Sequence, residues 1–257
     1  MVKLSERDTE RYRADGFLAL DQVLRPERFD ALVAHFEREL AALPPGARPE
    51  QMDVPHFTDP ALFEWLLDPD VLDLVESVIG PDIALFSSHF ICKPAGDGKS
   101  VPWHQDAYFW RDAIEPAAAA VTVWLAIDPS SRENGCMRVI PGSHLRNDTK
   151  YADLQGEDSL FDKQIAAVDE SASVDVELRP GQCSVHAATL VHGSTANRST
   201  NRRCGYTMRY MPTTVRFKHE SVGHKHQVYL ARGVDRAGNV YADPSRAYPE
   251  LVEHRSW

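Results

Sequence analysis

Apolar residues recur at helical spacing between Pro26 and Leu43, where Phe29, Leu32, Val33, Phe36 and Leu40 share one face. Pro26 suits a first helical turn and Pro44-Pro45-Gly46 stops the pattern, so an amphipathic helix is predicted here. Further helical stretches run from Pro60 to Leu67 and from Asp70 to Ile79, the latter with Val71, Leu74, Val75 and Val78 on one side and Gly80-Pro81 as its end. From Ile83 the pattern changes. Ile83 to Phe86, His89 to Cys92, Ala120 to Leu125, Met137 to Ile140, Val174 to Leu178 and Cys204 to Tyr210 are short and β-rich, each closed by Gly, Pro, Asn or Asp. Many short strands after a helical start predict a single mainly β domain with flanking helices, a sandwich or barrel rather than alternating βαβ units. One segment departs from this rhythm. Tyr151 to Asp175 carries seven acidic residues among scattered apolar ones and reads either as a solvated loop or as a lid over a site.

Composition narrows the class. In 257 residues, 43% hydrophobic and 26% charged residues are ordinary globular usage, and no apolar run approaches the roughly 18 residues of a membrane span. A formal net charge of -10 repels a phosphate backbone, so neither a nucleic acid nor a membrane is expected as partner. Cys92, Cys136, Cys183 and Cys204 are spaced irregularly, unlike a CxxC metal knuckle or a disulfide framework. With a charged start, Met1 to Arg13, that lacks a signal peptide's apolar stretch, and a terminal Arg255-Ser256-Trp257 that is no peroxisomal address, they point to a cytoplasmic protein.

The sharpest chemical signal is Trp103-His104-Gln105-Asp106. Side chains two apart on an extended segment point to the same side, so His104 and Asp106 can reach one metal ion. A third ligand is required, and His186 and His192 are the downstream choices. Two histidines and one carboxylate leave coordination positions open, which suits non-haem Fe(II) oxygen chemistry and catalysis rather than structure.

Taken in order, Trp103-His104-Gln105-Asp106, Glu133-Asn134-Gly135-Cys136 with Ile140-Pro141-Gly142-Ser143-His144, and His192-Gly193-Ser194 followed by Asn197 and Arg203 resemble the phytanoyl-CoA dioxygenase family of Fe(II)- and 2-oxoglutarate-dependent oxygenases. The resemblance runs from Asp15-Gly16-Phe17 to about Tyr210 and implies a double-stranded β-helix, or jelly roll. Residues 1–82 would form a helical N-terminal part, 83–215 the jelly-roll core, and 151–175 the lid, if there is one. The resemblance makes His104, Asp106 and His192 the iron ligands and Arg203 the holder of the distal 2-oxoglutarate carboxylate, a role that a guanidinium fork fits. Ser194, Lys93 and Trp124 match positions lining the cosubstrate pocket, while His186 becomes a packing or supporting residue. Relatives that halogenate replace the metal carboxylate with a small residue. Asp106 is present, so the implied reaction is oxidation of a C–H bond of a small molecule with O2, releasing succinate and CO2.

On the substrate side, strand alternation puts His89 on the face of Lys93, and Arg209 on the face of Arg203, where it would suit an anionic group. Gln105 alternates away from the ligands, and Tyr108, Phe109 and Trp110 are either core or a substrate wall. His224 and His226 are expected at the surface. Two rival readings are a non-catalytic jelly-roll ligand-binding or sensing protein, and a metal-dependent barrel enzyme that does not use 2-oxoglutarate. Arg203 speaks against the latter, which needs no clamp for a cosubstrate carboxylate.

Overall fold

A computed structural model describes residues 3–146, 148–154 and 159–252. Along the chain come α1 (Glu6–Asp15), β1 (Phe17–Gln22), α2 (Pro26–Ala41), α3 (Phe63–Leu66), α4 (Pro69–Ile79), β2 (Ile83–Lys93), β3 (Val101–His104) and α5 (Asp106–Trp110). There follow β4 (Ile114–Glu115), β5 (Val121–Ala126), β6 (Met137–Val139), β7 (Tyr151–Asp153), β8 (Lys163–Ile165), β9 (Val174–Val176) and β10 (Gln182–Ala187). The last are β11 (His192–Ser194), β12 (Arg203–Pro212), β13 (Arg216–Phe217) and β14 (Tyr229–Arg232).

A six-stranded antiparallel sheet in the order β1-β10-β5-β12-β2-β14 faces a four-stranded one in the order β3-β11-β6-β9. Strict alternation divides the large sheet. Val121, Val123 and Leu125 of β5, Cys183 and Val185 of β10, and Cys204, Tyr206, Met208 and Tyr210 of β12 turn outward. There they meet Leu32 and Phe36 of α2, Trp65 and Leu66 of α3, and Val71, Leu74 and Val75 of α4 in the largest core. Both faces of the sheet are therefore covered, which is why all six residues of β5 are buried. Between the sheets, Trp124 and Ala126 pack on Met137, Val139, Val176 and Leu190. A third cluster, including Ala84, Phe86, Ile114, Met211 and Phe217, fills the space by α5, with Trp110 edge-on to Phe86 at 4.9 Å.

The helices α2 and α4 lie where periodicity predicts them. The sheet, however, recruits strands from outside 83–215: β1 comes from the stretch expected to be helical and β14 lies beyond Tyr210. Ile83 to Lys93 is one strand rather than two, since Ser87-Ser88 continue the ladder against Arg209 and Met208. The sequence motifs are joints of this frame. Gly142 donates to Asp15 O at 2.9 Å and His144 Nε2 to Arg13 O at 3.1 Å, so the Pro-Gly-Ser-His turn closes on the Asp15-Gly16 turn. The Val191 amide donates to Ser143 Oγ at 2.9 Å, fixing the residue before His192. Gly135 has φ +78°, and a Cβ there would stand 2.5 Å from Thr195 O, so glycine is required on both counts. Among the described residues no helix is long and apolar enough to cross a membrane.

Candidate metal and cosubstrate site

The end of β3, the start of α5 and the start of β11 meet between the sheets. Antiparallel pairing sets His192 opposite His104. Asp106 does not continue the strand: it is the first residue of α5, so the chain's turn into a helix, rather than strand alternation, aims its carboxylate at the two imidazoles. Asp106 Oδ1 lies 3.4 Å from His104 Nε2 and 3.8 Å from His192 Nε2, and all three residues are buried. One ligand atom from each lies within 4.8 Å of the others.

The ring orientations fit a cation. His104 Nδ1 lies 2.8 Å from Pro102 O and His192 Nδ1 lies 3.0 Å from Leu190 O, so each Nδ1–H donates to a carbonyl and each Nε2 keeps its lone pair for the centre. Burial, then the charge of His104, lowers the pKa of His192 well below the usual range and keeps that imidazole neutral. Burial raises the pKa of Asp106, but its contacts with His104 and His186, with His192 and Arg209 close by, outweigh it and hold the carboxyl well below the usual range. Two imidazoles that turn Nε2 inward and one carboxylate, all buried, suit Fe(II).

A second grouping, His35, Glu39 and Asp59, lies against the helices. There His35 already engages Asp59 at 2.5 Å and Arg38 at 3.1 Å, which leaves no spare nitrogen on the ring.

Beside the triad lies a cationic pocket. Lys93, with 0% exposure, crosses from the large sheet to donate to Ser194 Oγ at 2.7 Å and to Thr195 O at 2.5 Å. Arg203 is its register partner on β12; its guanidinium stands 4.8 Å from the Trp124 ring centre, and its Nε has no hydrogen-bond partner. Neither cation forms an ion pair among the described residues, and burial lowers both pKa values, that of Lys93 to about 6, with Arg203 adding to the effect, and that of Arg203 to about 10. Two buried basic side chains without an ion-pair partner among the described residues, Lys93 bonded to Ser194 two residues along β11 from a triad histidine, fit a dianion that would restore the lysine's proton. Trp124 occupies the room left by Gly205, where a Cβ would come within 2.0 Å of the indole.

The family model for phytanoyl-CoA dioxygenase matches residues 12–205. The chain belongs to the phytanoyl-CoA dioxygenase family. A probable phytanoyl-CoA dioxygenase of Caenorhabditis elegans is 33% identical over 161 residues, 59% of this chain and 51% of that protein. The chain thus spans about half the length of several curated family members it matches. Among solved structures, the non-haem monooxygenase ThoJ in its apo form is 26% identical with a TM-score of 0.74, covering 95% of this chain and 92% of that one. The non-haem α-ketoglutarate-dependent epimerase SnoN from nogalamycin biosynthesis is 26% identical with a TM-score of 0.67, covering 83% and 85%. The jelly roll expected from the family is the fold observed.

The substrate-side residues separate. Arg209 stands on the inner face beside Asp106, its Nη1 donating to Ser87 Oγ at 3.3 Å and its guanidinium 5.5 Å from the Trp110 ring. His89 shares that face, but its nitrogens turn to Glu50 O at 3.0 Å and Asp53 Oδ1 at 3.4 Å. Gln105 Nε2 donates to Thr189 O at 2.6 Å, tying the start of α5 to the turn before His192. Tyr108 stacks on Tyr151 with centroids 3.5 Å apart. His224 is exposed as expected, whereas His226 is buried and bonded to Phe86 O, because β14 pulls the preceding turn onto the sheet.

Of the segment 151–175, the described residues 151–154 and 159–175 include paired strands. β7 and β8 form a hairpin, Phe161 packs edge-on to the His104 ring at 5.0 Å, and Tyr151 Oη accepts from the Gln105 amide at 2.8 Å. The expected acidic residues Glu157 and Asp158 lie outside the described residues. Sequence reasoning passed over Phe161 and Thr122. The latter donates to Asp106 Oδ2 at 3.0 Å, and alternation from Trp124 would have placed it on the inner face.

Proposed function

We propose that the protein is an Fe(II)- and 2-oxoglutarate-dependent oxygenase that oxidises a C–H bond of a small organic molecule and releases succinate and CO2. The observation that carries the reading is the buried triad His104, Asp106 and His192 set beside two buried basic side chains, Lys93 and Arg203, that form no ion pair among the described residues. The family supports it, as do the names of ThoJ, a non-haem monooxygenase, and SnoN, dependent on α-ketoglutarate.

His104, Asp106 and His192 would hold the iron, which supplies the activation of dioxygen when bound. Arg203 would take the distal carboxylate of 2-oxoglutarate as a two-pronged donor. Lys93 would add the second charge, and Ser194, already accepting from Lys93 Nζ, would turn its own hydroxyl proton to that carboxylate. Trp124 walls the pocket and keeps the guanidinium plane fixed. The substrate would enter beside Arg209 on the inner face next to Asp106, and the segment 151–175 would close over it, with Phe161 excluding water from the His104 side. Four free, buried cysteines support a reducing compartment such as the cytoplasm.

Anaerobic titration with Fe(II) and 2-oxoglutarate, followed by oxygen and a succinate assay across a panel of small molecules, tests this. Succinate release stimulated by a panel member is expected. Binding of both without succinate under any condition would favour the sensing protein, and metal-dependent turnover that ignores 2-oxoglutarate would favour the other rival.

A further inference from the structure

Across the large sheet, antiparallel register places His186 of β10 opposite Thr122 of β5, and Thr122 opposite Arg209 of β12. This inner-face row runs beneath Asp106. The two oxygens of that carboxylate are treated differently. Oδ1 faces Nε2 of His104 and His192, at 3.4 and 3.8 Å, whereas Oδ2 accepts from Thr122 Oγ1 at 3.0 Å and lies 3.6 Å from His186 Nε2. His186 is only 2% exposed, yet neither ring nitrogen has a hydrogen-bond partner. An imidazole buried for packing alone would lose both its bonds to water and gain nothing that a phenyl or isobutyl group lacks. Its Nε2 lies 3.6 Å from Oδ2, just beyond hydrogen-bond length.

We propose that His186 and Thr122 are a pair of positioning residues that together hold Oδ2 of Asp106, so that the carboxylate offers the metal Oδ1 alone and the position Oδ2 would otherwise take stays open. His186 is not itself a ligand: its ring stands 4.8 Å from that of His192, and its nearer nitrogen addresses the oxygen turned away from the other two imidazoles. Two donors on one oxygen fix the torsion of a short side chain at the head of a five-residue helix, which has little rigidity of its own. The inference rests on the triad being a metal centre, and the experiment separates the two.

Co(II) is added to the full-length protein, and both its affinity and its ligand-field absorption spectrum are measured for the wild type, Thr122→Val, Thr122→Ser, His186→Leu and His186→Gln. Thr122→Val keeps shape and removes the donor; Ser and Gln restore one. We expect Co(II) affinity to fall about 10- to 100-fold in Thr122→Val and His186→Leu, with altered band positions and intensities, and to recover in large part in the Ser and Gln variants. Wild-type affinity and spectrum in both donor-less variants would overturn the inference. Should His186→Leu fail to fold, Thr122→Val decides alone, because an isosteric change at one hydroxyl spares the core. A wild-type protein that takes up no Co(II) would overturn the metal centre and this inference with it.

Discussion

Arg203 and Gly205 show how much single residues decide. Arg203 lies buried, faces Trp124 and has an unpartnered Nε, so its fork is ready for a carboxylate. Losing a bidentate charged bond costs about 2 to 3 kcal/mol, or about 30- to 150-fold in affinity. Arg203→Ala should weaken 2-oxoglutarate binding by that factor in anaerobic titration, and Arg203→Lys should recover only part of it, because an ammonium lacks the fork. Unchanged affinity in Arg203→Ala would remove the residue from the cosubstrate site. At Gly205 the reason is steric. A methyl group would enter the Trp124 ring, and overpacking of this kind typically costs about 1 to 3 kcal/mol. Gly205→Ala should therefore unfold at lower urea and displace Trp124, which tryptophan fluorescence quenching would report; equal stability and equal quenching would contradict the close packing.

At the scale of elements, the β7–β8 pair stands apart from the two main sheets. It touches the rest of the site through Tyr151 on Tyr108 and Gln105 and through Phe161 on His104 and Phe109, while Asp153 and Lys163 bond each other at the exposed edge. A two-stranded ribbon tied to the barrel by these aromatic contacts and by the Leu160 amide on Ser100 O at 3.0 Å opens at lower free energy than the main sheets. Hydrogen exchange of residues 159–165 should slow when Fe(II), 2-oxoglutarate and substrate are all present. Identical exchange in every state would leave the hairpin as a fixed wall rather than a lid. The turn from β3 into α5 belongs to this scale as well, since it alone brings Asp106 opposite His104 and His192.

For the whole molecule, joining two sheets through a buried lysine has a consequence in pH. Lys93 is charged in the unfolded chain up to a pKa of about 10.4, but burial, followed by the charge of Arg203, lowers its folded value to about 6. Between those values the unfolded state binds more protons, so the Lys93 contribution to stability rises with pH and is lost as pH falls toward 6. Urea denaturation of the protein without cosubstrate should therefore show a steeper gain in stability from pH 6.5 to 9 for wild type than for Lys93→Met. Matching slopes would mean that Lys93 stays charged in the fold. A dianion in the pocket reverses the balance: 2-oxoglutarate should bind with proton uptake near pH 8, read by calorimetry in buffers of different ionisation enthalpy.

Residue type and short spacing singled out His104 and Asp106, and the order of motifs, through the family resemblance, added His192 and Arg203; the fold gathers the first three around one point, with Arg203 in the pocket beside Lys93. Amphipathic period likewise placed α2 and α4, whose apolar faces are local patterns. What stayed hidden depends on contacts between distant segments. β1 and β14 are strands only because the large sheet has edges for them, and His226 is buried only because β14 docks. The start of α5 overrides the strand alternation expected at Asp106. The grip of Thr122 and His186 on Oδ2 exists only through cross-strand register, which joins residues 64 positions apart in sequence at neighbouring places on one sheet face. Sequence pattern reports which groups a chain owns; pairing and packing decide which of them face one another.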